Sequence, residues 1–260
     1  MSYSLVGTPA QPTWSAPKNS TSFTVSITNV TVGDVVCLSL FPDTVYGLPA
    51  GITLSGGGVT TWHVVDSGAT GIQYIAWGVV TTTGANTLTV THTANVSSAL
   101  SGVAAQAEFS SSLGSAWVQD AALLYATTTT TSVWTSSSLT PSADALMLVL
   151  MDAGTIGGGL NMPTVPSPSA TTEATGASSV NNIGYFYLLG SGTAPLTVEV
   201  SDSGNTMGAG GVVIFFLEVL PPSSPPPIRV YSQAVQRASA WMKRETGLWS
   251  PESGLIPRAA

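Results

Sequence analysis

Charged side chains are scarce in this sequence. Asp, Glu, Lys and Arg together make up 7% of its 260 residues, whereas about 25% is usual for a soluble domain. Hydrophobic residues make up 43%, so the chain has enough apolar side chains to form a globular core. Thr, Ser and Gly fill the places where Lys and Glu normally stand. Because Lys and Glu are depleted from protein interfaces, this composition favours a β-rich protein that packs against many neighbours.

Cysteine and histidine are also rare. The one cysteine, Cys37, excludes an internal disulfide, and it lies in an apolar run where a free thiol acts as a small hydrophobic side chain. The two histidines, His63 and His92, lack the short spacings of zinc sites, and no acidic loop has calcium-binding spacing. We therefore expect no metal site and no cofactor.

Long apolar runs and a secretion signal are missing too. The N-terminus lacks a basic stretch followed by an apolar core, so we expect no signal peptide. The longest apolar stretch, Val212 to Leu220, contains Glu218 and is too short to span a bilayer. The sequence therefore predicts assembly in a cytoplasm, without membrane insertion.

Positive charge is nearly absent from the first 227 residues. They contain one base, Lys18, and eleven acids, a net charge of −10. Residues 228–260 contain five bases and two acids, a net charge of +3. An acidic body of this size argues against nucleic acid as a partner. The separate basic segment indicates a tail with a partner of its own.

The strongest pattern is an internal repeat. Matching residues have the same type and lie 110 positions apart: Thr21 and Thr131, Ser22 and Ser132, Asp34 and Asp144, Leu38 and Leu148, Leu40 and Leu150. Further matches in the same order follow, and Glu108 and Glu218 each stand near the end of a closing apolar strand. We predict an N-terminal segment, residues 1–13, followed by two homologous domains, residues 14–112 and 121–220.

Within each predicted domain the hydrophobic pattern is that of β-strands. Phe23, Val25 and Ile27 alternate with Thr and Ser, which is typical of a half-buried strand. Glycine-rich turns such as Gly56-Gly57-Gly58 separate the runs. Many short strands in each domain predict an antiparallel β-sandwich of immunoglobulin-like or jelly-roll type. The predicted fold class is therefore all-β, with two tandem, related sandwich domains.

A proline-rich run, residues 221–227, predicts a semi-rigid polyproline II linker. Residues 228–260 then form a basic arm, in which Ser232 as N-cap and Gly247 as stop predict one short helix before an extended end. Because Trp and Arg are common interface anchors, we predict that the arm docks onto another chain, with docking onto the second domain as the alternative. The predicted docking residues are Arg229, Tyr231, Val235, Arg237, Trp241, Met242, Lys243, Arg244, Leu248, Trp249, Leu255 and Ile256.

Motifs of catalytic sites are nearly absent. Gly56-Gly57-Gly58 lacks the lysine of a phosphate-binding loop. Asp66-Ser67-Gly68 and Asp202-Ser203-Gly204 resemble the paired motifs of aspartic proteases, but they do not occupy equivalent places in the repeat, and Asp-Ser-Gly is a common turn sequence. We predict no catalytic residues and no enzyme activity. A hydrolase that uses two distant carboxylates is the least favoured alternative.

Tryptophan offers a different kind of site. Trp14, Trp62, Trp77, Trp117 and Trp134 are candidates for stacking on a sugar, although core packing is the commoner use of such residues. A glycan-binding receptor module is therefore the alternative from another functional class.

Three segments of the first domain carry a family resemblance: Thr31 to Leu40, Trp62, and Tyr74 to Val90. In these segments the chain resembles domains of virion structural proteins, either minor tail proteins or capsid accessory proteins, of tailed phages that infect actinobacteria. The resemblance covers the second domain loosely, where Ala143 replaces Gly33, and does not cover the arm. It implies a sandwich displayed on a phage particle, and no catalytic residue.

The sequence-based hypothesis is thus a non-enzymatic virion protein, a minor tail protein whose body is anchored by its C-terminal arm. A capsid decoration protein is the alternative within this class. The expected partners are other virion proteins and further copies of this chain, with a host-surface glycan as an open alternative. The expected location is the virion, after assembly in the host cytoplasm.

Overall fold

The structure of the chain, a computed structural model, describes residues 3–42, 51–66, 74–93, 96, 98–120, 125–129, 133–141, 143–152, 164–167, 171–177, 182–201 and 210–220. These residues all belong to one compact unit, Met1–Pro221. Their strands pair antiparallel, and no helix occurs among them. The predicted all-β fold class is therefore confirmed. The predicted linker and arm lie outside the described residues.

In the first half of the compact unit, residues 3–111, the described residues form nine strands in two sheets. The strands are β1 (Tyr3–Ala10), β2 (Thr13–Ala16), β3 (Ser22–Asn29), β4 (Val35–Pro42), β5 (Thr53–Gly56), β6 (His63–Asp66), β7 (Tyr74–Val79), β8 (Gly84–Thr91) and β9 (Leu100–Ser111). The first large sheet has the order β1-β9-β4-β7-β6, with β2 also paired to β9, and the first small sheet has the order β3-β8-β5. The N-terminal segment, residues 1–13, thus contributes a strand to the large sheet.

The described part of the second half, residues 117–219, also forms nine strands in two sheets. They are β10 (Trp117–Gln119), β11 (Tyr125–Thr129), β12 (Val133–Thr135), β13 (Leu146–Asp152), β14 (Thr164–Ser167), β15 (Thr171–Ala177), β16 (Asn182–Leu189), β17 (Glu199–Ser201) and β18 (Gly210–Val219). The second large sheet has the order β10-β18-β13-β16-β15, with β11 also paired to β18, and the second small sheet has the order β12-β17-β14. Each strand has its counterpart nine strands earlier, so the topology of the two halves is the same.

The small sheet of the first half lies over one face of the large sheet. In β3, Phe23, Val25 and Ile27 are buried while the residues between them are exposed, because one face of the strand meets the core and the other meets solvent. These side chains share a core with Leu38 and Leu40 of β4. We call this cluster the outer core.

The other face of the first large sheet packs against the second large sheet. This central core contains Val35 and Cys37 of β4, Phe109 of β9, and large side chains of the second half such as Leu148 and Tyr187. The ring centroids of Phe109 and Tyr187 are 5.1 Å apart. Because both of its faces are covered, β4 is an almost continuous apolar run, as is usual for strands buried on both sides.

The strand faces correct one detail of the sequence repeat. Leu38 and Leu40 point into the outer core, whereas Leu148 and Leu150 point into the central core. Residues on opposite faces of a sheet cannot be structural equivalents, since a shift of one residue reverses the face. The match at an offset of 110 positions is therefore wrong in this strand. The equivalent of Leu148 is Cys37, because each pairs with an aromatic residue of the neighbouring strand, Tyr187 and Trp77.

Candidate functional site

The docking residues predicted in the arm, from Arg229 to Ile256, lie outside the described residues, and their docking stays a prediction. Of the two protease-like motifs, Asp202 also lies outside the described residues. Asp66 ends β6, an edge strand, in register with Tyr74 of β7. Whether the two motifs form a pair therefore lies outside the described residues.

The tryptophans that the structure describes serve mainly as core residues. Trp14, Trp77 and Trp117 are 4%, 3% and 6% exposed, so their faces are not open to a sugar ring. Trp62 is half-buried, and its indole Nε1 donates a hydrogen bond to the carbonyl oxygen of Gly56, 3.0 Å away. The side chain of Trp134 is outside the described set. The described residues thus contain no platform of exposed tryptophans.

The glycine run Gly56-Gly57-Gly58 forms a tight turn with structural contacts. All three residues have positive φ, between 69° and 76°, a region that glycine enters readily. The side chain of Asn29 donates from Nδ2 to the carbonyl oxygen of Gly57 at 2.7 Å, and the backbone N–H of Thr81 donates to the carbonyl oxygen of Gly58 at 2.7 Å. Because the turn uses its carbonyl groups to join β5 to neighbouring segments, it is a packing element of the first half.

Two acidic side chains approach each other beneath the turn between β3 and β4. Glu108 of β9 is 3% exposed, and its two carboxylate oxygens accept hydrogen bonds from the backbone N–H groups of Val30 and Thr31, each at 2.7 Å. Asp34 is 9% exposed, and its Oδ2 is buried without a hydrogen-bond partner among the described residues. Burial, followed by the nearby charge of Glu108, raises the pKa of Asp34 from 3.8 to about 6, while a hydrogen bond with Thr31 opposes this shift.

This carboxylate pair does not have the geometry of a glycosidase. A glycosidase needs both carboxyl groups open to the substrate, one as acid and one as base or nucleophile. Here both oxygens of Glu108 are occupied by backbone donors. The neighbouring Gln106 also bonds to backbone groups, in this case those of β3. Its side chain donates to the carbonyl oxygen of Thr28 at 2.6 Å and accepts from the Thr28 N–H at 3.2 Å. Gln106 and Glu108 thus fasten the small sheet and its turn to the large sheet.

The exposed large hydrophobic side chains of the described residues are found at one end of the compact unit. They are Val30, Val32, Leu113 and Leu220, exposed by 55%, 61%, 43% and 49%. We call this set the exit patch, since Leu220 directly precedes residues 221–260. Exposed apolar side chains that stand together are typical of contact sites for other molecules.

Hydrogen bonds bring the segments of the exit patch together. The indole Nε1 of Trp117 donates to the carbonyl oxygen of Gly33 at 3.2 Å, which ties the turn containing Val30 and Val32 to β10. The N–H of Leu220 donates to the carbonyl oxygen of Ala116 at 3.0 Å. The exit patch therefore combines the turn after β3, the connection between β9 and β10, and the end of β18.

Sequence reasoning did not identify the exit patch, although a signal was available. In β3 the even-numbered positions face solvent, and the same alternation, extended past Asn29, places Val30 and Val32 on the solvent side. The role of Glu108 was also missed. Its backbone partners, Val30 and Thr31, lie more than 70 residues away in the sequence, and no local pattern indicates such a contact.

Metal-ligating clusters and membrane-spanning helices are absent from the described residues. Across the described part of the chain, no group of three or more His, Cys, Asp or Glu side chains could hold a metal ion. Nor do these residues form a helix that is long and apolar enough to cross a membrane. His63 is exposed and stacks on the ring of Trp77 with the centroids 4.1 Å apart, which fits an ordinary strand residue.

Comparison of the chain with protein-family models, with curated proteins and with solved structures finds no match.

Proposed function

We propose that this chain is a non-enzymatic structural protein of a phage virion, a minor tail protein whose compact body is held in the particle by contacts at its C-terminal end. The exit patch carries this proposal. Its four exposed apolar side chains stand where the chain continues into the proline-rich and basic segments. A surface of this composition fits a protein contact better than it fits chemistry on a small substrate.

The proposal also assigns a role to each segment of the chain: the two halves of the repeat, the linker and the arm. Each half consists of a small sheet and a large sheet with the same strand order, and we interpret the halves as two tandem, related β-sandwiches. Residues 221–227 serve as the linker, and residues 228–260 as the arm that docks onto neighbouring virion proteins or further copies of this chain. The low content of charged residues, 7%, supports a protein that is surrounded by partners.

The nature of the particle rests on the resemblance of residues 31–40 and 74–90 to phage virion domains. A capsid decoration protein is the alternative within this class. The glycan-binding alternative gains no support from the described tryptophans, because Trp14, Trp77 and Trp117 are buried.

The self-association part of the proposal is tested by light-scattering mass after size exclusion. The full chain is compared with a version that ends at Leu220. We expect an oligomer for the full chain and a monomer for the shortened chain, because the arm would be the assembly element. A monomeric full chain would contradict self-association through the arm.

The location is tested by immunogold electron microscopy of phage particles that carry the gene for this chain. The antibody is raised against residues 1–220. Gold at the tail is the expected result, gold over the head would favour the decoration alternative, and particles without gold would contradict both.

A further inference from the structure

We infer that the central core is a dimer interface within one chain, in which each half of the compact unit is the binding partner of the other. The inference depends only on the packing of residues 3–219 and is independent of the proposed function. Among the described strands, no sheet contains strands from both halves. The halves are therefore held together by side-chain contacts, as two subunits of a dimer are, with residues 112–116 as the only described covalent connection.

The contacting faces are built from equivalent rows of residues. Each row crosses three neighbouring strands of a large sheet, as the strand register shows. In the first half the rows are Phe109-Val35-Val79, Ala107-Cys37-Trp77 and Ala105-Ser39-Ile75, and in the second half they are Leu217-Leu146-Leu189, Phe215-Leu148-Tyr187 and Val213-Leu150-Tyr185. All of these residues except Val79 and Leu189 are at least nine-tenths buried.

The two faces differ in the size of their side chains. Along β9 the first half presents Ala105 and Ala107, whereas the equivalent positions of β18 are Val213 and Phe215. Small side chains on one face leave room for the large side chains of the other, because protein interiors are packed without large voids. This complementarity favours pairing of a first half with a second half over pairing of two identical halves.

Three hydrogen bonds of the described residues join the halves and fix their relative orientation. The indole Nε1 of Trp77 donates to Oε1 of Gln119 at 3.0 Å, and that of Trp117 donates to the carbonyl oxygen of Gly33 at 3.2 Å. The hydroxyl of Tyr3 donates to the carbonyl oxygen of Asp144 at 2.7 Å. Tyr3 and Trp117 are also in ring contact, with centroids 5.7 Å apart. Partly buried hydrogen bonds of this kind favour one arrangement of an apolar interface.

The partner that this surface fits is therefore a second nine-strand unit of the same topology with larger side chains on its central strands. In this chain the partner is supplied by the second half. Because sheet pairing does not cross between the halves, their association does not require the connecting peptide.

The test is to cut the connection in the folded full-length chain. A recognition sequence for a specific protease is inserted between Leu113 and Gly114, in an exposed connection. After cleavage, we expect the two fragments to elute together from size exclusion at the mass of the uncut protein. Elution of the fragments at separate positions would overturn the inference.

Substitutions in the cut protein test which residues hold the halves. Phe109→Ala removes a ring of the central core, and Phe23→Ala removes a ring of the outer core as a matched control. The rate at which the fragments exchange with unlabelled cut protein should rise at least about 100-fold for Phe109→Ala, and little for Phe23→Ala. Equal effects of the two substitutions would contradict an interface at the central core.

A milder variant keeps the test decisive if Phe109→Ala does not fold. Trp77→Phe removes the donor to Gln119 and keeps most of the ring. We expect it to speed fragment exchange by roughly 3- to 10-fold, since a hydrogen bond of this kind contributes modestly. No change in exchange would show that this bond does not join the halves.

Discussion

At the scale of single residues, Glu108 holds the turn between β3 and β4. Its carboxylate is 3% exposed and accepts hydrogen bonds from two backbone N–H groups, those of Val30 and Thr31. Hydrogen bonds to a charged acceptor are stronger than those to a neutral one. The buried carboxylate of Glu108 therefore fixes the backbone at the start of the turn that carries Val30 and Val32.

Replacing Glu108 by Gln should destabilise the protein. The amide retains one acceptor oxygen but points an N–H group at a backbone donor, so we expect a loss of about 1–3 kcal/mol in the free energy of unfolding. Urea unfolding measures this loss. The control is Glu199→Gln, at a partly exposed glutamate of β17, which should change stability by less than about 0.5 kcal/mol. Equal effects would contradict the role of Glu108.

Asp34 should make stability depend on pH. Its folded-state pKa is raised to about 6 from 3.8, mainly by burial. Between these values the folded chain keeps a proton that the unfolded chain has lost, so stability falls as the pH rises from about 4 to about 6 and is level above that range. Asp34→Asn lacks this titration. Relative to the wild type, it should gain roughly 1–2 kcal/mol between pH 4 and pH 7.

Chemical unfolding of both proteins at several pH values measures this difference. A stability difference that stays constant between pH 4 and pH 7 would show that the carboxyl group of Asp34 keeps its ordinary pKa in the folded chain.

At the scale of elements, the turn Gly56-Gly57-Gly58 has positive φ at each residue, a conformation that glycine adopts readily. Gly58 has a φ of 71°, and a Cβ atom added there would collide with the carbonyl oxygen of Thr82 and lie 2.6 Å from the side chain of Asn29. Gly84, at the start of β8, has a φ of 90° but nothing within 4 Å of such an atom.

Substitution of these two glycines distinguishes the cost of backbone strain at positive φ from the cost of a steric collision. Gly58→Ala and Gly84→Ala both place a side chain at positive φ, which costs about 1–2 kcal/mol. Only Gly58→Ala also forces backbone apart, so we expect it to lose at least about 2 kcal/mol more than Gly84→Ala in the free energy of unfolding. Thermal unfolding of both variants provides the comparison. Similar losses would mean that the turn can move to accept a side chain.

Strands also show how far the sequence could predict the fold. The alternation in β3 was visible because one face of that strand meets solvent, so Phe23, Val25 and Ile27 stand out from Thr and Ser. In β4 both faces are buried, and Val35 to Leu40 is apolar at nearly every position. In such a strand the sequence does not show which face an apolar residue occupies. The repeat therefore matches Leu148 with Leu38, whereas the strand register matches it with Cys37, one position earlier.

At the scale of the whole molecule, the central core makes the two halves interdependent. It joins Phe109 of the first half to Tyr187 of the second, although each half also has its own small sheet. The sequence contains a repeat but does not indicate the contact between the large sheets of the two halves. Nothing in a residue pattern distinguishes a buried face covered by its own domain from one covered by its neighbour.

We expect the compact unit to unfold in one transition. Phe23→Ala in the first half and Phe216→Ala in the second each remove a buried ring, at a cost of about 3–5 kcal/mol. Because the halves share a core, either substitution should lower the temperature of the same transition, as measured by differential scanning calorimetry. Two transitions, of which each variant moves one, would contradict this coupling.

The contact between Tyr3 and Trp117 also determines how the molecule could be rebuilt. Trp117 lies in register with Val219, and its ring touches that of Tyr3, so the start and the end of the compact unit lie side by side. A circular permutant that joins these ends by a short flexible peptide, and opens the chain between Leu113 and Gly114, should keep every sheet intact. In such a permutant the second half would precede the first in the sequence. A permutant that folds would show that the fold does not depend on the order of the two halves.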